Sequence, residues 1–304
     1  MRLTSLCYTA VKLAGLTALA RRLRRGGVIF CYHNVVAESD GRSRDEGGLH
    51  MPFSSFERQM RWLAAKYEAV PLEEFADRLS RGGSLRGVAA LTFDDGYGGV
   101  FEHAWPLLRA LSIPATVFVV AHAPGRDDGF WWDHPDVLRA YSPARRRHWL
   151  TALRGDGAAV LESLASPHTP ALPPPCRRPA SWDTITEAVR SGLGIGVHSA
   201  THRSLPALHE GDLSLEVVES RDIIARRTGV LPQFFAYPYG LWNDRVRRAV
   251  RAAGYRAAFT LDEGCNTPAT DSCALRRVNV PAGISDGAFE VWAAGLNLGH
   301  RHAS

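Results

Sequence analysis

The chain has 304 residues, 45% of them hydrophobic and 22% charged, a balance that excludes a disordered polypeptide and suffices for one α/β barrel or two ordinary domains. Its 36 lysines and arginines against 31 aspartates and glutamates leave a net charge of +5, which fits an anionic surface or polymer; no nucleic-acid-binding motif accompanies it, and no nucleic-acid partner is expected. The five cysteines, Cys7, Cys31, Cys176, Cys265 and Cys273, are odd in number and never in C-x-x-C spacing, so they read as reduced thiols, with a Cys265–Cys273 bridge as the alternative.

Residues 3–20 are fairly apolar, and Ala18-Leu19-Ala20 is like a small-residue cleavage site. Yet Lys12 interrupts the run and Arg21-Arg22-Leu23-Arg24-Arg25 follows it, whereas a secretory signal places its charge before the apolar stretch. The run is also too short and too charged to span a bilayer. Leu3, Leu6, Ala10, Leu13 and Leu16 recur near helical spacing, so residues 1–27 read as an amphipathic basic helix. It either lies on an anionic membrane face through residues 1–25 or docks on the domain. The chain is accordingly expected in the cytoplasm, free or peripheral to the membrane, with secretion left open.

From Gly27 onward strand and helix alternate. Val28–Tyr32 is an apolar strand. Ser55–Tyr67 has helical spacing behind a serine start signal, and Pro71–Arg81 is a helix opened by proline. Ala89–Phe93 is a buried strand that ends in two aspartates. Val100–Leu111 is a helix that Pro106 would kink. Ala115–Ala121 and Gly194–His198 are strands; Leu213–Thr228 is a long helix closed by Gly229 as C-cap. Phe234–Tyr237, the helix Asp244–Ala253 and the strand Ala257–Leu261 continue the pattern. Such alternation implies parallel strands with crossover helices, and the polar motifs fall at strand C-termini, where such folds place their chemistry. Periodicity alone does not separate a barrel from an open sheet. Residues 124–180 break the rhythm with Gly125–Gly129, Phe130-Trp131-Trp132, a basic helix around Arg145–Arg147 and Pro173–Pro175; they read as an insertion or cap over the site. Residues 284–304 read as a C-terminal helix and tail.

Two constellations stand out. Asp94-Asp95-Gly96 ends a strand; such a sequence is common in turns, but adjacent carboxylates repel and are stabilised by a cation or an arginine. At a turn the two can split roles, one binding metal and the other facing substrate. His198 and His202 stand four apart after the apolar strand, a spacing that lets both imidazoles meet one ion, although each alone reads as an ordinary core or surface histidine. One carboxylate and two imidazoles hold a divalent metal with an open position, leaving the second carboxylate as a base, an inventory suited to metal-assisted hydrolysis. Trp131, Trp132 and Tyr239 are candidates to stack on sugar rings, or core aromatics.

These residues resemble a known family. Thr92-Phe93-Asp94-Asp95-Gly96 is similar to the first motif of the polysaccharide deacetylases with a NodB-homology domain, carbohydrate esterase family 4. His198-Ser199-Ala200-Thr201-His202 matches their second, H-[ST]-x-x-H. Phe235-Ala236-Tyr237-Pro238-Tyr239-Gly240 resembles their third, R-x-P-[YF]-G. The resemblance runs from residue 28 to residue 283 and implies a single distorted (β/α) barrel there. It further implies a divalent ion, Zn2+ first and Co2+, Ni2+ or Mn2+ as alternatives, on Asp95, His198 and His202. Asp94 would be the general base, and the backbone after Pro238, at Tyr239, would stabilise the oxyanion. The implied substrate is an N-acetylated glycan of the exopolysaccharide kind, the product acetate, and the enzyme a monomer. Two positions depart from the pattern. Ala236 stands where the family has an arginine that orients the base; Arg277, similar to a subgroup with an arginine there, either supplies it or is a surface strand residue. The histidine that protonates the leaving amine is expected at His33, in Tyr32-His33-Asn34-Val35, as in poly-N-acetylglucosamine deacetylases, with His300 of Leu298-Gly299-His300 as the alternative. An O-acetyl esterase or small-molecule amidohydrolase on the same site, and a silent carbohydrate-binding domain, are the competing readings.

Overall fold

The computed structural model describes residue 8 and residues 16–38, 48–164 and 171–296. Its main sheet is parallel throughout. In spatial order it runs β10 (Val278–Asn279), β1 (Val28–Tyr32), β5 (Val88–Phe93), β6 (Ala115–Val119), β7 (Gly194–Val197), β8 (Phe234–Ala236) and β9 (Ala257–Phe259), with the short β4 (Glu68–Ala69) also on β5. A separate pair, β2 (Asn34–Val36) and β3 (His50–Pro52), was not legible as strands in the sequence. The sheet curls upon itself. Beside β9, Ala258 N–H donates to Ser272 O and Thr260 N–H to Leu275 O, each at 2.8 Å. A few residues later β10 pairs with β1, and Val280 N–H donates to Cys31 O at 2.9 Å. Residues 272–280 thus join the sheet's last edge to its first, making a distorted (β/α) barrel.

Strand parity decides what faces inward. Ile29, Val88, Ala90, Phe118, Phe234, Ala236, Phe259 and Leu275 form one buried cluster with the helix Leu72–Ser80, which plugs the N-terminal end. The alternate residues Val28, Phe30, Tyr32, Leu91, Val117, Ile195 and Val197 join the larger cluster beneath the surrounding helices. A period of two then carries Cys31, His33, Thr92, Asp94, His198 and Arg277 to the inner side at the C-terminal mouth. Gly196 is on the same register, and a Cβ there would fall 2.4 Å from the Phe118 ring, so only glycine lets that ring fill the interior.

Element boundaries moved where capping or tertiary bonds overrode local signals. The helix expected from Ser55 begins at Phe53, directly after the strand residue Pro52; its first turn is capped by Glu38, whose Oε1 accepts Ser54 N–H at 2.8 Å. Pro71 is the N-cap of its helix and not its first residue. The helix around Pro106 opens with a π turn, Val100–Ala104, which absorbs the missing amide donor, and continues as Trp105–Ala110. The helix expected at 213–228 starts at Glu210, contains a π turn over Leu215–Glu219 and ends at Gly229 with φ 74°.

The stretch 124–180 holds the helices Pro135–Ala140, Pro143–Thr151 and Gly157–Ser163 around a small apolar cluster of Val137, Trp149 and Val160. Near the N-terminus, the helix Leu16–Leu23 docks on the domain. Thr17 is buried, Arg24 Nη1 donates to Ala293 O at 2.8 Å, and Arg21 lies 5.3 Å above the Trp62 ring. Leu16, Leu19 and Leu23 remain exposed on its outer side. Among the described residues no helix is long and apolar enough to cross a membrane. Cys31, Cys176, Cys265 and Cys273 form no disulfide.

Candidate active site

The site lies at the C-terminal mouth of the barrel. Asp94 and Asp95 follow β5, His198 follows β7, Tyr239 follows β8 by way of Tyr237 and Pro238, and His33 follows β1. Three of the turns at this mouth place four non-glycine residues in left-handed backbone: Asp95 (φ 72°); Ser199 (φ 64°) and His202 (φ 60°), which share one loop; and Tyr239 (φ 59°). Each such residue costs roughly 1–3 kcal/mol, a cost that collects where side chains must be aimed. At Asp95 the reversal turns one carboxylate away from its neighbour, so the adjacent aspartates face different partners.

Asp94 faces Arg277. The guanidinium grips it in a fork, Nη1 to Oδ1 and Nη2 to Oδ2 both at 2.7 Å, and Arg277 is fully buried. Its Nε donates to Thr260 O at 3.0 Å, and its head lies 5.5 Å from the Phe118 ring centroid. Cys31 Sγ stands 3.3 Å from Asp94 Oδ2. Burial works to raise the Asp94 pKa, but Arg277, aided by His198, outweighs it and holds the carboxyl well below the usual carboxylate range. Arg277 therefore is not a surface strand residue. It reaches Asp94 from the far side of the barrel closure, and the small inward-facing Ala236 stands where the family pattern has its arginine.

Asp95 faces the two imidazoles. Its Oδ1 is 3.4 Å from His202 Nε2 and 3.6 Å from His198 Nε2, and the two Nε2 atoms are 3.1 Å apart. One ligand atom from each of the three residues lies within 4.8 Å of the others. His198 Nδ1 pairs with Ala236 O at 2.8 Å, which leaves Nε2 of the neutral ring with its lone pair aimed at the site. Among the described residues His202 Nδ1 is buried with no hydrogen-bond partner, so no hydrogen bond there fixes that ring's tautomer. Burial lowers both histidine pKa values and raises that of Asp95, which Asp94 and Asp133 push further. Neutral imidazoles beside a carboxylate are a donor set that fits a divalent cation.

Around this centre, Trp132 and Tyr239 flank the His202 ring at centroid distances of 4.4 and 4.5 Å. The Tyr239 hydroxyl donates to His202 O at 3.0 Å. Trp131 meets Trp132 edge-on at 5.6 Å. His33, half-buried, lines the cavity with Asp94, and burial lowers its pKa to about 4 against the opposing pull of Asp94. His300 lies outside the described residues.

Two residues escaped sequence reasoning. Glu216, buried in the π turn Leu215–Glu219, accepts Ala200 N–H at 3.0 Å and Thr201 N–H at 2.9 Å, and takes the Thr201 hydroxyl as well. It clamps the loop that carries both histidines. Asp133 accepts the Tyr97 hydroxyl at 2.6 Å and pairs with His50 at 3.2 Å, while Trp132 Nε1 donates to Tyr97 at 2.8 Å. The acid beside Trp131-Trp132 was a signal for this second tie; Glu216 looked like any polar residue of an amphipathic helix.

Residues 82–258 match the sequence model of the polysaccharide deacetylases. YxkH of Bacillus subtilis is 23% identical over 263 residues, 86% of this chain and 74% of its own. The poly-beta-1,6-N-acetyl-D-glucosamine N-deacetylase of Staphylococcus aureus is 24% identical over 240 residues, 78% of this chain and 68% of its own. Among solved structures, IcaB from Ammonifex degensii superposes with a TM-score of 0.63 at 24% identity, covering 90% of this chain and 98% of that one. The Streptococcus pyogenes deacetylase PplD follows the same fold, with a TM-score of 0.62 at 18% identity over 86% and 94% of the two chains.

Proposed function

The chain belongs to the polysaccharide deacetylase family, hydrolases of carbon–nitrogen bonds other than peptide bonds, and from that premise we propose that it removes N-acetyl groups from an N-acetylated glycan and releases acetate. A divalent ion, zinc first among the candidates, would be held by Asp95, His198 and His202. When bound, such an ion supplies Lewis acidity toward the acetamide oxygen and makes water more acidic.

The chain's own groups do the rest. Asp94, kept ionised by Arg277, accepts the proton of the attacking water. The fork fixes its two oxygens, and the Cys31 thiol adds a third restraint. The Tyr239 N–H, aimed by its left-handed backbone, meets charge developing on the carbonyl oxygen. His33 returns a proton to the departing amine; a nitrogen of its ring lies within 4.8 Å of an Asp94 oxygen, so the proton has a short path. Trp131 and Trp132 line the cavity over the centre.

The observation that carries this reading is the Arg277 fork on Asp94 immediately beside the Asp95–His198–His202 convergence. A silent binding domain has no use for a base so held. Acetate release should be measured on N-acetylglucosamine oligomers and on O-acetylated glycans. Release from the former, lost on chelation, restored by zinc and lowered roughly 10²–10⁴-fold by Asp94→Asn, is the expected result. Release confined to O-acetyl esters would replace the N-deacetylase reading with an esterase.

A further inference from the structure

The cavity over the aspartates has a volume of about 470 Å3 and is roofed by the cap helices. Its size suits one or two sugar units. Its walls do not suit an oligosaccharide held by its hydroxyls. Beyond the catalytic groups and the tryptophans Trp131 and Trp132, Leu49, Val137, Leu138, Trp149, Leu150 and Leu261 face it. A sugar hydroxyl turned against such a wall loses its water without gaining a partner.

The polar exceptions outside the catalytic set are Tyr141, Asn279 and Arg146. Arg146 sits on the cap helix Pro143–Thr151, and its charge is felt at the Tyr239 hydroxyl. Four cap arginines are neutralised, Arg126 by Asp128, Arg139 by Asp136, Arg154 by Asp212 and Arg178 by Asp127, while Arg145 and Arg147, on the same helix as Arg146, do not line the cavity. Arg146 has no carboxylate partner among the described residues. An unpaired guanidinium at an apolar cavity wall beside the reacting centre is a complement to an anion next to hydrocarbon.

We infer that the substrate is an N-acetylated sugar joined to an apolar chain through an anionic group, with the anion on Arg146 and the chain along the leucine wall. This rests on the deacetylase reading of the same site. A phosphodiester provides link and charge at once; a carboxylate-bearing sugar shares the anionic chemistry.

The zinc-loaded protein should be assayed for acetate release from octyl-phosphoryl N-acetylglucosamine, the neutral octyl glycoside and N-acetylglucosamine oligomers. We expect kcat/KM to be about tenfold or more higher for the charged alkyl sugar than for either other substrate. Arg146→Ala should bring the charged-to-neutral ratio close to one, and Arg146→Lys should keep part of it. Equal rates on the oligomers and the charged alkyl sugar, or a ratio untouched by Arg146→Ala, would overturn the inference. A second measurement needs no turnover: quenching of tryptophan fluorescence by octyl phosphate and by octanoate. Saturable binding weakened about tenfold by Arg146→Ala is expected. Tighter octyl phosphate identifies the phosphodiester, tighter octanoate the carboxylate, and octyl glycoside binding as tightly as either overturns both. Octyl phosphate binding without acetate release from any sugar would sink the deacetylase reading and leave only the site for an anion beside an apolar chain. Oligomer turnover without octyl phosphate binding would sink the anionic-substrate inference alone.

Discussion

Arg277 and Asp94 form a pair whose worth depends on both members being present. Each is buried, and their two 2.7 Å bonds compensate a desolvation that neither could bear alone. Arg277→Ala should therefore cost about 3–5 kcal/mol in urea unfolding, because it leaves a buried carboxylate uncompensated. Arg277→Lys keeps the charge but loses the fork, and should fold while losing roughly tenfold or more in kcat, since Asp94 is then held at one oxygen. A lysine variant with full kcat would show that the fork does not orient the base. His33 gives a second test at this scale. Its folded pKa of about 4 lies below its ordinary value of 6.5, so between these the unfolded chain binds the extra proton. Stability should be complete above pH 6.5 and decline as the pH falls toward 4. His198 and His202 are shifted the same way, so the share of His33 is read by difference. With a chelator present, the stability lost between pH 7.5 and 5 should be smaller in His33→Gln than in the parent; an equal loss would absolve His33.

At the scale of elements, the histidine loop is held from outside by a helix. Ser199 and His202 both sit in left-handed backbone, and Ser199 Oγ accepts His202 N–H at 2.9 Å. The amides of Ala200 and Thr201 end on Glu216. A regular α-helix would rotate Glu216 differently; the π turn Leu215–Glu219 supplies the offset, as π turns at functional sites do. Glu216→Ala should weaken zinc binding roughly 10–100-fold in a chelator competition, with Glu216→Gln intermediate because one acceptor oxygen survives. Unchanged affinity in both variants would mean that the loop holds its own shape. This is also where sequence reading ran out. Asp94, Asp95 and His198 were legible because parallel strands are unbroken apolar runs, and polar residues at their ends stand out. Arg277 could be suspected only through resemblance, since the turn that brings it inward depends on barrel closure. Glu216 left no trace, for a buried carboxylate and a solvated one look alike until the loop above it is placed. The helix starts at Phe53 and Glu210 were misjudged for a similar reason: at Phe53 the cap comes from Glu38, far from the local signal.

Across the whole molecule, the barrel separates what maintains it from what it does. The chain enters β1 at Val28 and leaves it for His33, so the N-terminal helix and the catalytic mouth lie at opposite ends of that strand, on the order of 17 Å apart for five residues. The helix Leu16–Leu23 contributes at the first end. Arg21 covers Trp62, Arg24 ties to Ala293 O at the end of the helix Asp286–Ala293, and Tyr8 is buried with the Trp292 ring nitrogen 3.4 Å from its hydroxyl. These contacts join the N-terminal segment to the C-terminal helix, the two elements that flank the barrel's closing strands β1 and β10. Replacing Arg21 and Arg24 together by alanine removes one cation–π contact and one charged hydrogen bond. The expected cost is about 2 kcal/mol, seen as a lower urea midpoint with an unchanged slope. Zinc affinity and kcat should stay at parental values, because Arg21 and Arg24 contact Trp62 and Ala293 and not the residues of the mouth. A variant that kept its stability would show that the helix rests on the domain without supporting it. One that lost zinc affinity at full stability would show that barrel closure transmits strain from β1 to the ligand loops, and the two ends of the barrel would not be independent.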